Sequence, residues 1–238
     1  SDVYKRQVCG CGGGRAVQTV LTRVLADSAR LVLDADALNA LAGDSRTAPA
    51  WRRQLAQRHA AGRSTVLTPH PLEAARLLGT DTAHVQGHRM SSAQKLAETY
   101  RCTVVLKGSG TVIAAAGRTP HINPTGNARL ATAGTGDVLA GLIGAELAGG
   151  HPDFEAACRA VYHHGHAAGP LDDDGPALTA SVLARGGRTT GVSGAPAASG
   201  TIWVRRTLAY RPSRPSPALA TRHGAVLPST CLLYTSDA

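Results

Sequence analysis

Residues 122–150 read INPTGNARLATAGTGDVLAGLIGAELAGG. Two glycine-bearing loops, Thr125-Gly126-Asn127 and Gly134-Thr135-Gly136, run into Asp137. An apolar pattern at helical spacing follows at once in Val138, Leu139, Leu142, Ile143 and Leu147. A glycine turn that opens a helix leaves backbone N–H groups free at the helix's positive end, a site suited to an anion. The small residues Ala131 to Gly134 let that backbone approach a ligand closely. An acid at the first helical position is favoured there by the dipole, by roughly 0.3–1 kcal/mol. Helix physics alone therefore leaves two readings of Asp137, a helix-end acid or a reactive carboxylate.

The chain on either side alternates strands and helices. Arg30–Leu33, Ser64–Leu67, Thr103–Leu106, Thr111–Ala115 and Thr119–Ile122 read as strands. Ala16–Ala26, Ala37–Leu41, Pro49–Ala61, Pro71–Leu78, Ser91–Tyr100, Phe154–Ala168 and Ala177–Ala184 read as helices. Val8 to Gly14 reads as a glycine-rich turn, and Arg52, Arg53 and Arg58 give one helix a basic face. Such alternation predicts an α/β fold with a mostly parallel sheet covered on both faces. Ligands of such sheets sit outside the carboxyl ends of the strands. The polar motifs fall there: Asp34 and Asp36 after one strand, His70 after the next, Lys107 after the third. Asp34 and Asp36 read as caps of the following helix and stand outside the catalytic set.

The 238 residues have room for one domain with a sizeable core. No run of about 18 apolar residues suggests a membrane span. The net charge of +9 raises the possibility of nucleic-acid binding. Its distribution argues against it: residues 186–238 hold six Arg and one Asp, whereas residues 8–185 carry 17 basic and 14 acidic side chains. The five Cys form no CxxC pair, which points to reduced thiols and a cytoplasmic protein. His163, His164 and His166 have no acidic partner near in sequence, so no protein metal site is expected. Residues 1–7 read as a non-native leader. Residues 186–238, with five Pro and no sustained periodicity, read as a disordered or artefactual basic tail. The extreme ends resemble translated sequencing adapters.

Residues 8–185 resemble the carboxyl-terminal part of an ADP/ATP-dependent NAD(P)H-hydrate dehydratase of the ribokinase-like superfamily. The resemblance rests on VCGCGGG (8–14), LVLDADALNAL (31–41), LTPHPLEAARLLG (67–79), VVLKGSGTVIA (104–114), the 122–150 stretch and HGHAAG (164–169). It implies a ribokinase-like three-layer αβα fold, here incomplete, because the family begins upstream of the Gly10–Gly14 turn. That turn departs from the family's GPGLG pattern, with Cys11 in the proline place and Gly13 in the leucine place. The chain is accordingly expected to be a fragment, poorly stable where its sheet edge is uncovered.

The activity implied is repair of hydrated NAD(P)H. ADP phosphorylates the ring hydroxyl of NAD(P)H hydrate, and phosphate is eliminated. The resemblance makes Asp137 the catalytic base. It assigns Lys107, Gly108, Ser109, Gly110, Thr111, Asn127, Thr135 and Gly136 to the nucleotide, and Gly14, His70, Arg76 and Asp137 to the hydrate. It implies ADP or ATP as co-substrate, Mg2+ travelling with the nucleotide, a homo-oligomer, and an NAD(P)H-hydrate epimerase as fused or paired partner. Two other readings stay open: a ribokinase-like kinase of a small alcohol or vitamin precursor, and a basic nucleic-acid-binding fragment without catalysis.

Overall fold

The computed structural model describes residues 6–43, 46–170 and 178–186. Four short segments form parallel strands: β1 (Arg6–Cys9), β2 (Arg30–Leu33), β3 (Ser64–Leu67) and β4 (Thr103–Leu106). The chain then turns back through β5 (Val112–Ala114) and β6 (His121–Ile122), both antiparallel to their predecessors. The sheet order follows the chain order, β1 to β6.

Nine α-helices occur among the described residues. They are α1 (Val17–Asp27), α2 (Ala35–Ala42), α3 (Ala48–Ala60), α4 (Pro71–Leu78), α5 (Thr82–Gly87), α6 (Arg89–Tyr100), α7 (Thr135–Ala148), α8 (Asp153–His166) and α9 (Ala180–Gly186). Because strand side chains alternate faces, the sheet separates two cores. Leu31, Leu33, Leu67, Val104 and Leu106 pack with α1–α4 and α6, around Leu21, Leu25, Leu38, Leu55, Leu96 and Tyr100. Val8, Val32, Val66, Val105 and Ile113 face α7 and α8 through Leu139, Ile143, Ala157 and Val161. The result is the three-layer αβα sandwich with a mostly parallel sheet.

Several boundaries differ from the sequence reading. Arg6 and Gln7, set apart as leader, lie in β1, with Val8 and Cys9 beside them rather than in a turn. Their backbone pairs with Arg30 and Leu31, and Gln7 Oε1 accepts a bond from the Ser28 hydroxyl at 2.6 Å. Arg58 does not belong to a basic surface; it is buried, donating to Thr65 Oγ1 and to the carbonyls of Leu25, Ser28 and Ser64. Burial lowers its pKa to about 10. The last helix runs over Ala180–Gly186, and Ala177, where the sequence reading began it, lies outside the described residues. Residues 1–5 of the leader and 187–238 of the tail lie outside the described residues.

Candidate active site

The parallel strands end in register, and backbone bonds continue the ladder beyond them. The N–H of Asp34 donates to Cys9 O (3.0 Å), that of Thr68 to Leu33 O (3.1 Å) and that of Lys107 to Pro69 O (2.9 Å). The turn after β1 passes so close to β2's exit that only glycine fits at position 10. Its φ is +118°, and a Cβ there would lie 1.8 Å from Asp34 O. The same turn brings Gly14 N–H to Asp36 Oδ2 at 2.7 Å.

Four side chains meet at this edge. Lys107 Nζ lies 2.8 Å from Asp34 Oδ1, with the Asp34 side chain 2% exposed. The Cys11 thiol donates to Asp34 Oδ2 at 3.7 Å. Ligand-type atoms of Cys11, Asp34 and Asp137 all lie within 4.8 Å of one another. Lys107 Nζ also stands 3.5 Å from where a Cβ on Gly136 would sit, so the ammonium faces the first turn of α7. Asp34 is thus no helix cap. It occupies the N-cap position of α2 but makes no side-chain cap bond, and Asp36 lies within that helix's first turn.

Asp137 is the third residue of α7, whose N-cap is Gly134 in the left-handed region, so it is not the first helical residue. Although its side chain is exposed, partial desolvation, then the negative charge of Asp34, raise its pKa above the ordinary aspartate value; the Cys11 thiol and Lys107 pull the other way. Burial, then the charges of Asp34 and Asp137, push the Cys11 thiol far up, so it stays protonated and acts as a donor. The amides of Gly136 and Asp137 have no acceptor among the described residues, as the first turn of a helix dictates. A raised carboxylate, an ammonium and open amides at one helix start can accept a proton and hold a transferring phosphoryl group.

The other assigned residues are distributed more widely. Thr135 is buried, its hydroxyl donating to the carbonyls of Leu130 and Thr132, which shapes the loop before α7. Asn127 caps a short 3-10 turn by accepting from Arg129 N–H, and its amide donates to Gly169 O at 2.7 Å. Gly108, Ser109 and Gly110 are exposed in the loop after β4, and Thr111 Oγ1 donates to Gly108 O. His70 works as the cap of α4: its Nδ1 accepts from Leu72 and Glu73 N–H, while Glu73 Oε2 accepts from His70 N–H. Arg76 donates to Asn39 Oδ1 at 2.7 Å. Neither His70 nor Arg76 contacts the Asp34–Lys107–Asp137 group. Sequence reasoning left Asp34 and Cys11 outside the catalytic set; the signal for Asp34 was its place directly after β2, whose Leu31, Val32 and Leu33 are buried.

The Cys11, Asp34 and Asp137 trio does not suit Mg2+. That ion takes hard oxygen ligands in octahedral geometry. Cys11 offers a protonated, soft sulfur, and both Asp34 oxygens are engaged, one by Lys107 and one by Cys11. Among the described residues no helix is long and apolar enough to cross a membrane.

The family model described as NAD(P)H-hydrate dehydratase matches residues 2–184. The chain belongs to this family. It is 45% identical to the ADP-dependent (S)-NAD(P)H-hydrate dehydratase of Neisseria meningitidis over 74% of this chain and 57% of that protein. It is 46% identical to the bifunctional NAD(P)H-hydrate repair enzyme Nnr of Moorella thermoacetica over 57% of this chain and 24% of that protein. The crystal structure of the ADP/ATP-dependent NAD(P)H-hydrate dehydratase of Bacillus subtilis, co-crystallized with ATP/Mg2+, superposes with a TM-score of 0.62. Identity is 33%, covering 76% of this chain and 61% of that one. The chain thus spans about three fifths or less of the length of these dehydratase relatives. The ribokinase-like fold expected from the resemblance is the observed one.

Proposed function

We propose that this chain carries out the ADP-dependent dehydration of NAD(P)H hydrate to NAD(P)H, releasing AMP and phosphate. The observation that carries the reading is the meeting of Asp137, Lys107 and the open amides of Gly136 and Asp137 at one helix start. In the first step the ring hydroxyl gives its proton to Asp137 while its oxygen bonds to the β-phosphorus of ADP, and the bond to AMP breaks. Lys107 and the α7 amides balance the charge that develops on the phosphoryl oxygens; one such donor is worth about 10²–10³ in rate. In the second step phosphate departs with the electron pair of the C–O bond, and the adjacent ring carbon gives its proton to solvent as its C–H electron pair forms the double bond of the dihydropyridine. Gly108 to Thr111 and Asn127 to Gly136 serve the nucleotide, and Gly14, His70 and Arg76 line the hydrate side. Mg2+ is carried by the nucleotide's own phosphates, with no ligand assigned among the described residues.

The family match over residues 2–184 supports a single ribokinase-like catalytic unit, with residues 186–238 as a tail. The bifunctional relative supports an epimerase as fused or paired partner. We place the protein in the cytoplasm and as a homo-oligomer, on the reduced thiols and the resemblance; light scattering of the purified chain measures the assembly.

Incubation of the chain with hydrated NADPH, ADP and Mg2+ is expected to restore the near-ultraviolet absorbance of NADPH, with AMP and phosphate formed in equal amounts. No recovery, together with phosphorylation of a vitamin alcohol, would assign the site to a small-alcohol kinase and overturn the proposal. Salt-sensitive DNA binding that survives deletion of residues 186–238 would favour the nucleic-acid reading.

A further inference from the structure

The loop Lys107-Gly-Ser-Gly-Thr111 is held from behind by one side chain that the sequence reading left outside any element. Arg89 opens α6, two residues before the predicted helix start. Its Nη2 donates to three carbonyls, Leu106 O at 3.0 Å, Lys107 O at 3.3 Å and Gly110 O at 3.3 Å, while Nη1 donates to Gln86 Oε1 at 2.7 Å. One guanidinium therefore gathers both ends of the loop. Gly108 makes this approach possible: its φ is +139°, and a Cβ there would lie 3.0 Å from Nη1 and 3.1 Å from Nη2.

In a planar trans peptide the C=O and the following N–H point in opposite directions. Turning the carbonyls of Lys107 and Gly110 towards Arg89 therefore turns the N–H groups of Gly108 and Thr111 away from it. The Gly108 amide has no backbone acceptor among the described residues, whereas Thr111 closes a turn on Gly108, its hydroxyl donating to Gly108 O at 2.9 Å. The outward Gly108 amide in a glycine loop, backed by a fixed positive charge, makes an anion-binding concavity. We propose that Arg89 is a positioning residue that sets this loop to receive the diphosphate of ADP. The inference rests on the nucleotide reading above and adds to it the group that shapes the loop. A lysine cannot replace the guanidinium, because a single ammonium lacks the planar fork that reaches several carbonyls at once.

The test uses the whole 238-residue chain as wild type, Arg89→Lys and Arg89→Met. Backbone amide NMR shifts of Gly108 and Thr111 report the loop without ligand, calorimetry with ADP reports affinity, and the thermal midpoint reports folding. Both variants are expected to shift the two amides and to weaken ADP at least about tenfold, with Arg89→Lys the milder, as for loss of charge-assisted bonds. Should Arg89→Met fail to fold, Arg89→Lys alone decides. Unmoved amides in a folded variant would overturn the positioning role. Shifted amides with unchanged ADP affinity would overturn the link to the diphosphate. Wild type without affinity for ADP would overturn the nucleotide reading itself, and the amide shifts would still decide whether Arg89 sets the loop.

Discussion

Lys107 Nζ reaches Asp34 Oδ1 at 2.8 Å, joining the exits of β4 and β2 across β3. The two strands are not neighbours, so only a long side chain bridges them, over about twice the strand spacing of ~4.8 Å. The pair puts a positive charge beside the start of α7, where the dipole alone would repel it, and the Asp34 carboxylate offsets that cost. It also sets the electrostatics of Asp137, which Asp34 pushes up and Lys107 pulls down.

Asp34→Asn removes the negative charge and frees Lys107 to act on Asp137. Both changes favour the ionised carboxylate, so the acid limb of kcat/KM is expected to move to lower pH. Cys11→Ala removes a hydrogen bond that lowers the Asp137 pKa and is expected to move the same limb to higher pH. A pH–rate profile of the two variants checks the opposite signs; shifts in one common direction would contradict this account.

Asp137→Asn is expected to lower turnover by about 10²–10⁴ while leaving ADP affinity within a few-fold of wild type. Single-turnover kinetics alongside calorimetry separate the two effects. Retained turnover would remove Asp137 from the role of base.

His164 gives the fold an acid-sensitive joint. It is buried on α8, and its Nε2 carries the proton donated to Thr135 O at 2.8 Å. Burial lowers its pKa below the ordinary histidine value of about 6.5. A group with a depressed folded-state pKa contributes stability that is full above the unfolded pKa. That contribution is lost as pH falls from there through the folded value. The Tm is therefore expected to fall as pH drops below about 6.5. His164→Gln, which keeps a donor and does not titrate, is expected to flatten that dependence. An equal acid loss in the variant would assign it to other groups.

Gly10→Ala places a methyl 1.8 Å from Asp34 O and 2.9 Å from Ala37 N, at a φ of +118°. Strain and overpacking together are expected to cost at least about 2 kcal/mol. Because Asp34 must move, Lys107 moves with it. Urea unfolding of the variant measures the first effect and ADP affinity the second.

The strands β2, β3 and β4 match their sequence reading residue for residue, because short apolar runs between turn residues have one outcome in a doubly covered parallel sheet. Pro71 and Gly79 bound α4 for equally local reasons. The carboxyl-edge location of the site follows from the alternation of elements. Those features depend on residues close together in the chain, so the sequence by itself determined them. What surrounds each polar group at that edge depends on sheet order and on which helix lands where. Asp34 and Lys107 are 73 residues apart, and Arg89 lies 17 to 21 residues from the carbonyls it binds. Only the tertiary structure turned Asp34 from a helix cap into the partner of Lys107. It also brought Cys11, whose thiol donates to Asp34, to within 4.8 Å of both carboxylates. A local pattern fixes a backbone, whereas the charge state of a carboxylate is set by whatever the fold brings within a few ångströms of it.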